Sequence, residues 1–234
     1  LERADSVLAA LNLPARLDLR ANRLLADREA VLAALRDDGA DCAPLPLASD
    51  GIVASDRAGL FGRSHAAGLY EVQDEGSQLI SELCGAAPGE TAIDACAGAG
   101  GKSLALAAAV GARGRVVACD ADPRRLGELP ARARRARAGG IVEAAGATAP
   151  EALAGKADVV LVDAPCSGLG SLRRETDLRW RLDAAEIAAL PARQLSILQG
   201  AARFVRPGGR LVYATCSPLR SEDEAVVEAF LAAE

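Results

Sequence analysis

Two cysteines stand in settings that suit a reactive thiol: Asp163-Ala-Pro-Cys166-Ser-Gly and Thr215-Cys216-Ser-Pro. Each follows an apolar run that reads as a strand, ADVVLVD at 157–163 and RLVYAT at 210–215. In an open α/β sheet, ligands bind beyond the carboxyl ends of the strands, so both thiols and the Asp163 carboxylate are expected on one rim. A thiolate adding to carbon 6 of a pyrimidine gives an enamine-like intermediate whose carbon 5 can take a methyl group. An acid facing ring nitrogen 3 would stabilise that adduct, and a base must remove the carbon 5 proton before the thiol leaves. The residues alone do not say which cysteine attacks. Cys42, Cys84 and Cys119 read as small buried hydrophobes, and Cys96 as packing within a turn.

A second constellation lies upstream, in Asp94-Ala-Cys96-Ala97-Gly98-Ala99-Gly100-Gly101-Lys102-Ser103, between an expected strand (91–96) and an expected helix. Glycines there let the backbone turn tightly beside a ligand, and the helix start offers unpaired N–H groups. A phosphate-binding P-loop needs glycine where Cys96 stands, and a dinucleotide fingerprint needs it where Ser103 stands. S-adenosylmethionine remains, with Asp120, 22 residues beyond Gly98, as the carboxylate for its ribose hydroxyls.

These residues require elements to position them. Helical spacing over 1–13, a strand at 16–22, a helix after Asp27 and a loop-rich, strand-bearing stretch at 40–68 suggest a small α+β unit over 1–70. From 71 to 234 strands alternate with helices: a helix at 76–86, strands at 91–96, 115–120, 141–145, 157–163 and 210–215, and an Arg-studded helix at 122–137. A long helix is expected from Asp183 to Val205, a turn at RPGG (206–209) and a final helix at 221–233. The expected fold is an α/β, Rossmann-like, doubly wound and mostly parallel sheet behind a small N-terminal α+β unit.

The 234 residues are half apolar and a quarter charged, which excludes a disordered chain. No apolar stretch is long enough for a membrane span and no secretory signal opens the sequence. The scattered cysteines and single histidine, His65, offer no zinc ligand set and no disulfide framework. Reduced thiols in the cytoplasm and a monomer are the expectation. A net charge of −5 argues against coating nucleic acid by bulk electrostatics. The absence of any methionine suggests a piece of a longer protein.

VQDEGSQ (72–78), DACAGAGGKS (94–103), VDAPCSGLG (162–170), RRETDLRW (173–180) and RPGGRLVYATCS (206–217) together resemble the Sun/Fmu-type family of RNA (cytosine-5) methyltransferases, which includes bacterial small-subunit ribosomal RNA enzymes. The resemblance covers nearly the whole chain. It implies Cys216 as nucleophile, Cys166 as the residue assisting proton removal and product release, and Asp163 at the target base and near the cofactor. It implies residues 96–102 and Asp120 as the cofactor site. The family's usual third-strand aspartate corresponds to Gly146, and its last two strands and its helical N-terminal RNA-binding domain find no counterpart here.

On the RNA side, Arg173, Arg174, Arg179 and Arg181 follow Cys166, and Trp180 reads either as a base-stacking platform or as core. Arg20, Asn22 and Arg23 are candidates for phosphate contact. Arg124, Arg125, Arg132, Arg134, Arg135 and Arg137 read as a solvated helix face, and His65 as a surface loop residue. A duplex cytosine is out of reach of a strand-end thiol, so the target must be single-stranded or flipped out. Two other readings compete. One is a DNA cytosine-5 methyltransferase that attacks with Cys166, and the other a catalytically weak, cofactor-binding RNA-recognition module.

Overall fold

The computed structural model describes residues 4–233. Helix α1 (Ala4–Leu11) precedes β1 (Leu17–Ala21), α2 (Arg28–Asp37), β2 (Cys42–Pro44), β3 (Gly51–Ala54), α3 (Arg63–Ala66) and β4 (Tyr70–Val72). After α4 (Glu75–Leu83) come β5 (Thr91–Asp94), α5 (Gly101–Val110), β6 (Arg115–Ala118), α6 (Pro123–Leu126), α7 (Leu129–Arg135) and β7 (Val142–Ala144). The chain ends through β8 (Ala157–Asp163), α8 (Leu178–Arg181), α9 (Ala184–Ala202), β9 (Val205–Ala214) and α10 (Glu224–Ala233). Arg16–Asp163 and Ala201–Val212 form one unit; Ala164–Gly200, the residues from Tyr213 onward and those before Arg16 form the other.

The first unit is built on two sheets. Four strands pair antiparallel in the order β2-β3-β1-β4. Asp27 caps α2 by accepting from the Ala30 amide, and the helix buries Val31, Leu32 and Leu35 with Leu19, Ile52 and Tyr70. The other sheet runs β7-β6-β5-β8-β9, with β5 parallel to β6 and β8, and β6 parallel to β7. Val116, Val117 and all of Val159–Val162 are buried, the unbroken apolar run expected of strands covered on both faces. The winding reverses between β5 and β8, where such sheets open a crevice at their carboxyl ends.

Several local expectations change. The Arg-studded helix is two short helices, broken at Gly127–Glu128, because Pro130 has no N–H to continue the ladder and belongs in a first turn. The RPGG turn lies inside β9: Gly208 adopts φ +73°, and Arg206 Nε lies 2.6 Å from Asp158 Oδ1 at the start of β8. His65 sits not in a loop but in α3, its ring 5.2 Å from that of Phe61 and 5.6 Å from that of Tyr70. Arg20 and Asn22 are not surface groups. Arg20 is buried with its Nε on Gln73 Oε1, and Asn22 donates to the carbonyls of Gly68 (2.9 Å) and Ala136 (2.8 Å). Arg23 stays half exposed, 3.5 Å from Asp50.

The glycine turn after β5 is closely packed. Gly100 has φ +87°, and a Cβ there would lie 2.2 Å from Leu129 Cδ1. Gly100→Ala combines left-handed strain with overpacking, for an expected loss of about 2–4 kcal/mol. A urea melt of the variant beside the parent checks this, and an unchanged midpoint refutes the packing.

Candidate active site

At the crevice, β5 ends on Asp94, which is fully buried. Its Oδ2 accepts from Ser103 Oγ at 2.7 Å on α5, while its Oδ1 has no hydrogen-bond partner in the structure. Burial pushes this carboxyl up to about 6, with the Ser103 hydrogen bond opposing. Gly98 (φ +55°) and Gly100 carry the chain around to α5. The turn is tied down at three points: Ala97 N donates to Cys119 O (2.8 Å), Gly98 N to Asp120 Oδ2 (2.7 Å), and Arg132 Nη1 to Ala99 O (2.7 Å). Asp120 is buried and its Oδ1 also accepts from Asp122 N at 2.8 Å, so it secures the glycine turn, and Asp122 caps α6. Across the crevice, Lys102 Nζ meets Asp163 Oδ2 at 2.6 Å and Ser77 Oγ at 3.3 Å. Gly146 contributes a backbone carbonyl to the Asp120 amide (2.9 Å) and no side chain.

The second unit carries the thiols. Cys166 Sγ and Cys216 Sγ lie 3.2 Å apart, and Cys216 N donates to Cys166 Sγ at 3.3 Å. Cys216 is exposed and Cys166 half-buried. Hydrogen bonding from Cys216 outweighs burial and lowers the Cys166 thiol to about 7. Gly170 N donates to Cys216 O at 2.8 Å, and a Cβ on Gly170 would sit 2.6 Å from that oxygen, so the loop after Cys166 packs directly on the backbone of Cys216. Two serines, each adjacent to one of these cysteines, and a glutamine converge on one buried carboxylate, Glu222. None of these four residues was a site candidate in the sequence, where Glu222 fell only within the expected final helix at 221–233 and the two serines only within the cysteine motifs.

The structure thus joins the expected cofactor residues 96–102, Asp120 and Asp163 around one turn, and the two cysteines to each other. It does not leave the flanking arginines uniformly free: Arg173 donates to Pro14 O (2.7 Å) and Arg181 pairs with Asp177 (3.0 Å). Trp180 is 84% exposed, which removes the core reading. Of the Arg-rich pair of helices, Arg132 and Arg135 are not a solvated face but hold the buried Glu71. Among the described residues no group of three or more His, Cys, Asp or Glu side chains could hold a metal ion, and no helix is long and apolar enough to cross a membrane.

A doubly wound sheet of this strand order, with a glycine turn at its switch point, has the Rossmann-like fold of methyltransferases. The chain belongs to the 16S rRNA methyltransferase RsmB/F family, which matches residues 83–234. The ferredoxin-like domain of the same family matches residues 2–58. The chain is 35% identical to ribosomal RNA small subunit methyltransferase B of Pseudomonas syringae pv. tomato over 99% of its own length and 52% of that protein's. It therefore spans about half the length of the curated relatives it matches. The crystal structure of PH0851 superposes with a TM-score of 0.92 at 31% identity, covering 100% of this chain and 54% of that one. A methyltransferase homolog from Pyrococcus horikoshii gives 0.81 at 26% identity, over 99% and 74%.

Two measurements test this geometry. Iodoacetamide should label Cys166 with a pH midpoint near 7, while Cys84 and Cys119, both pushed up to about 12 by burial, stay unlabelled in the native protein. Diamide should join Cys166 to Cys216, and peptide mapping that finds either thiol bridged elsewhere contradicts the 3.2 Å approach. For Asp94, the folded state keeps a proton that the unfolded chain releases above its ordinary value, so stability falls as pH rises from about 4 to about 6. Asp94→Asn removes that slope. Its stability relative to the parent should climb by up to about 3 kcal/mol across this window in urea titrations.

Proposed function

We propose that this protein transfers the methyl group of S-adenosylmethionine to carbon 5 of a cytosine in RNA, with ribosomal RNA as the substrate class. What supports the reading is the pair of thiols 3.2 Å apart with one of them acidified. A nucleophile and a base for its proton are the two thiol functions that carbon 5 methylation of a pyrimidine requires. Membership of a family described as 16S rRNA methyltransferases supports the substrate class. The stretch up to residue 70 takes the part of an RNA-binding unit and 71–234 that of the methyltransferase domain. A cytoplasmic setting follows from such a substrate.

The residues of the glycine turn fit the cofactor. Gly98 and Gly100, both at positive φ, turn the chain sharply beyond β5, and the start of α5 offers unpaired amides. The partnerless Asp94 Oδ1 is a buried acceptor for an ammonium group. Cys96, Ala97, Gly98, Ala99, Gly100, Gly101 and Lys102 would line the cofactor together with Asp120 and Asp163. Bound there, S-adenosylmethionine supplies an electrophilic sulfonium methyl group.

Cys216, the exposed thiol, adds to carbon 6 and gives its proton to the Cys166 sulfur. With a value near 7, Cys166 passes that proton to water at neutral pH and is a thiolate again when the carbon 5 proton must leave. The electron pair of that C–H bond then forms the carbon 5–carbon 6 double bond and expels Cys216 as thiolate. Asp163, paired with Lys102, serves as the acid or orienting group at ring nitrogen 3.

RNA carrying 5-fluorocytosine tests these roles, because its carbon 5 has no proton to lose and the adduct persists. Cys216→Ser is expected to abolish the adduct and lower turnover by roughly a thousandfold or more. Cys166→Ser should still form the adduct and accumulate it with ordinary cytosine. Loss of the adduct in Cys166→Ser alone would assign attack to Cys166, as in a DNA-type enzyme. Absence of any methyl transfer by the parent protein would favour a binding module.

A further inference from the structure

Glu222 is wholly buried, and no cation lies in salt-bridge contact with it among the described residues. Three neutral donors compensate its charge. Ser167 N (2.8 Å) and Gln194 Nε2 (2.9 Å) donate to Oε2, and Ser217 Oγ (2.6 Å) donates to Oε1. Burial alone would raise this carboxyl, yet the bonds from Ser167, Ser217 and Gln194 together hold it below the usual carboxylate range. Ser167 directly follows Cys166, and Ser217 directly follows Cys216. One carboxylate oxygen therefore grips one cysteine loop and the second oxygen grips the other. The grip is braced from three sides: Ser167 Oγ bonds Ser217 Oγ (3.1 Å), Gln194 Nε2 also reaches Pro165 O (3.0 Å), and Tyr213 Oη donates to the Glu222 carbonyl (2.6 Å).

We infer that Glu222 is a positioning residue that clamps the Cys166 and Cys216 loops together and sets the distance between the two sulfurs. The inference rests on the roles proposed for the two cysteines only where it speaks of turnover. Keeping a counter-ion-free carboxylate buried is costly, and a neutral residue of similar shape would fill the space as well. Only a carboxylate offers acceptors alone at both ends. Glutamine in its place can keep its carbonyl on Ser167 N and Gln194 Nε2 and turn its NH2 group to Ser217 Oγ, which then accepts, so it keeps the bridge without the charge, whereas alanine cuts the ties to both loops.

The test is Glu222→Ala in the full protein, read first on the thiols. With the clamp removed, diamide cross-linking of Cys166 to Cys216 should slow about tenfold or more, as the ties to both loops are lost. The pH midpoint of Cys166 alkylation should rise from near 7 toward that of an ordinary thiol, because the hydrogen bond from Cys216 is what lowers it. A purely electrostatic role gives the opposite sign. The Glu222 charge itself raises the Cys166 thiol, so removing charge alone would move the midpoint down. A midpoint that stays or falls, with an unchanged cross-linking rate, overturns the inference.

Ser217→Ala, which cuts only the Oε1 tie, serves if Glu222→Ala does not fold, and should shift both readouts in the same directions. In methyl transfer, Glu222→Ala is expected to lower kcat about tenfold or more with KM for RNA nearly unchanged. The thiol readouts involve no methyl transfer. If they shift while the parent forms no 5-fluorocytosine adduct, the functional reading fails and the clamp stands; if the adduct forms and the thiols do not shift, the reverse holds.

Discussion

The reversal of winding between β5 and β8 is the constraint from which the first unit's chemistry follows. Two adjacent parallel strands whose connections leave in opposite directions cannot both be covered at their carboxyl ends, so a crevice forms there. Asp94 ends one strand and Asp163 the other. Two carboxylates on neighbouring strand ends would repel unless something separates their charges. Lys102 does so, pairing with Asp163 at 2.6 Å, while burial shifts Asp94, hydrogen-bonded to Ser103, toward its protonated form. With side chains 13% and 30% exposed, the Lys102–Asp163 pair is less screened than a surface ion pair.

The thiol pair answers a related electrostatic problem with fewer charges. Two sulfurs at 3.2 Å cannot both be thiolates without strong repulsion, so the pair is best described as sharing a proton. The Cys216 amide donates to Cys166 and either sulfur can donate to the other; the lowering of the Cys166 thiol favours the charge on the half-buried sulfur. For the proposed reaction this division is useful, because the attacking thiol is the accessible one and its proton has an acceptor in place.

How far the sequence disclosed this depended on whether a group's role was local. The β8 run and the glycine turn announce themselves, because consecutive buried valines and closely spaced glycines each admit few conformations. Cys166 and Cys216 were visible through their positions after strands, although the strand before Cys216 starts earlier than RPGG suggested, since sheet pairing and the Arg206–Asp158 contact override the turn signal. Glu222 was illegible for the opposite reason. Its donors come from residues 55, 28 and 5 positions away, and nothing in Ser-Glu-Asp-Glu distinguishes a buried acid from a solvated one. Arg20 and Asn22 misled in the same way, since polarity in a sequence does not reveal that a side chain is buried and fully employed.

Glu71 shows how such employment can join two elements of the first unit that no motif connects. It lies on β4 of the antiparallel sheet, almost fully buried, and receives Arg132 at 2.8 Å and Arg135 at closer range. Arg132 turns its remaining nitrogen to the Ala99 carbonyl of the glycine turn at 2.7 Å. A single guanidinium thus links the edge strand of one sheet to the glycine turn of the other, using the planar fork that lysine lacks. Arg20, buried close by and lowered to about 10 chiefly by desolvation, adds a third cation to a cluster with one carboxylate at its centre. Such a cluster tolerates little displacement, because moving Glu71 would leave buried guanidinium charge uncompensated. The antiparallel sheet is therefore mechanically part of the glycine turn's support.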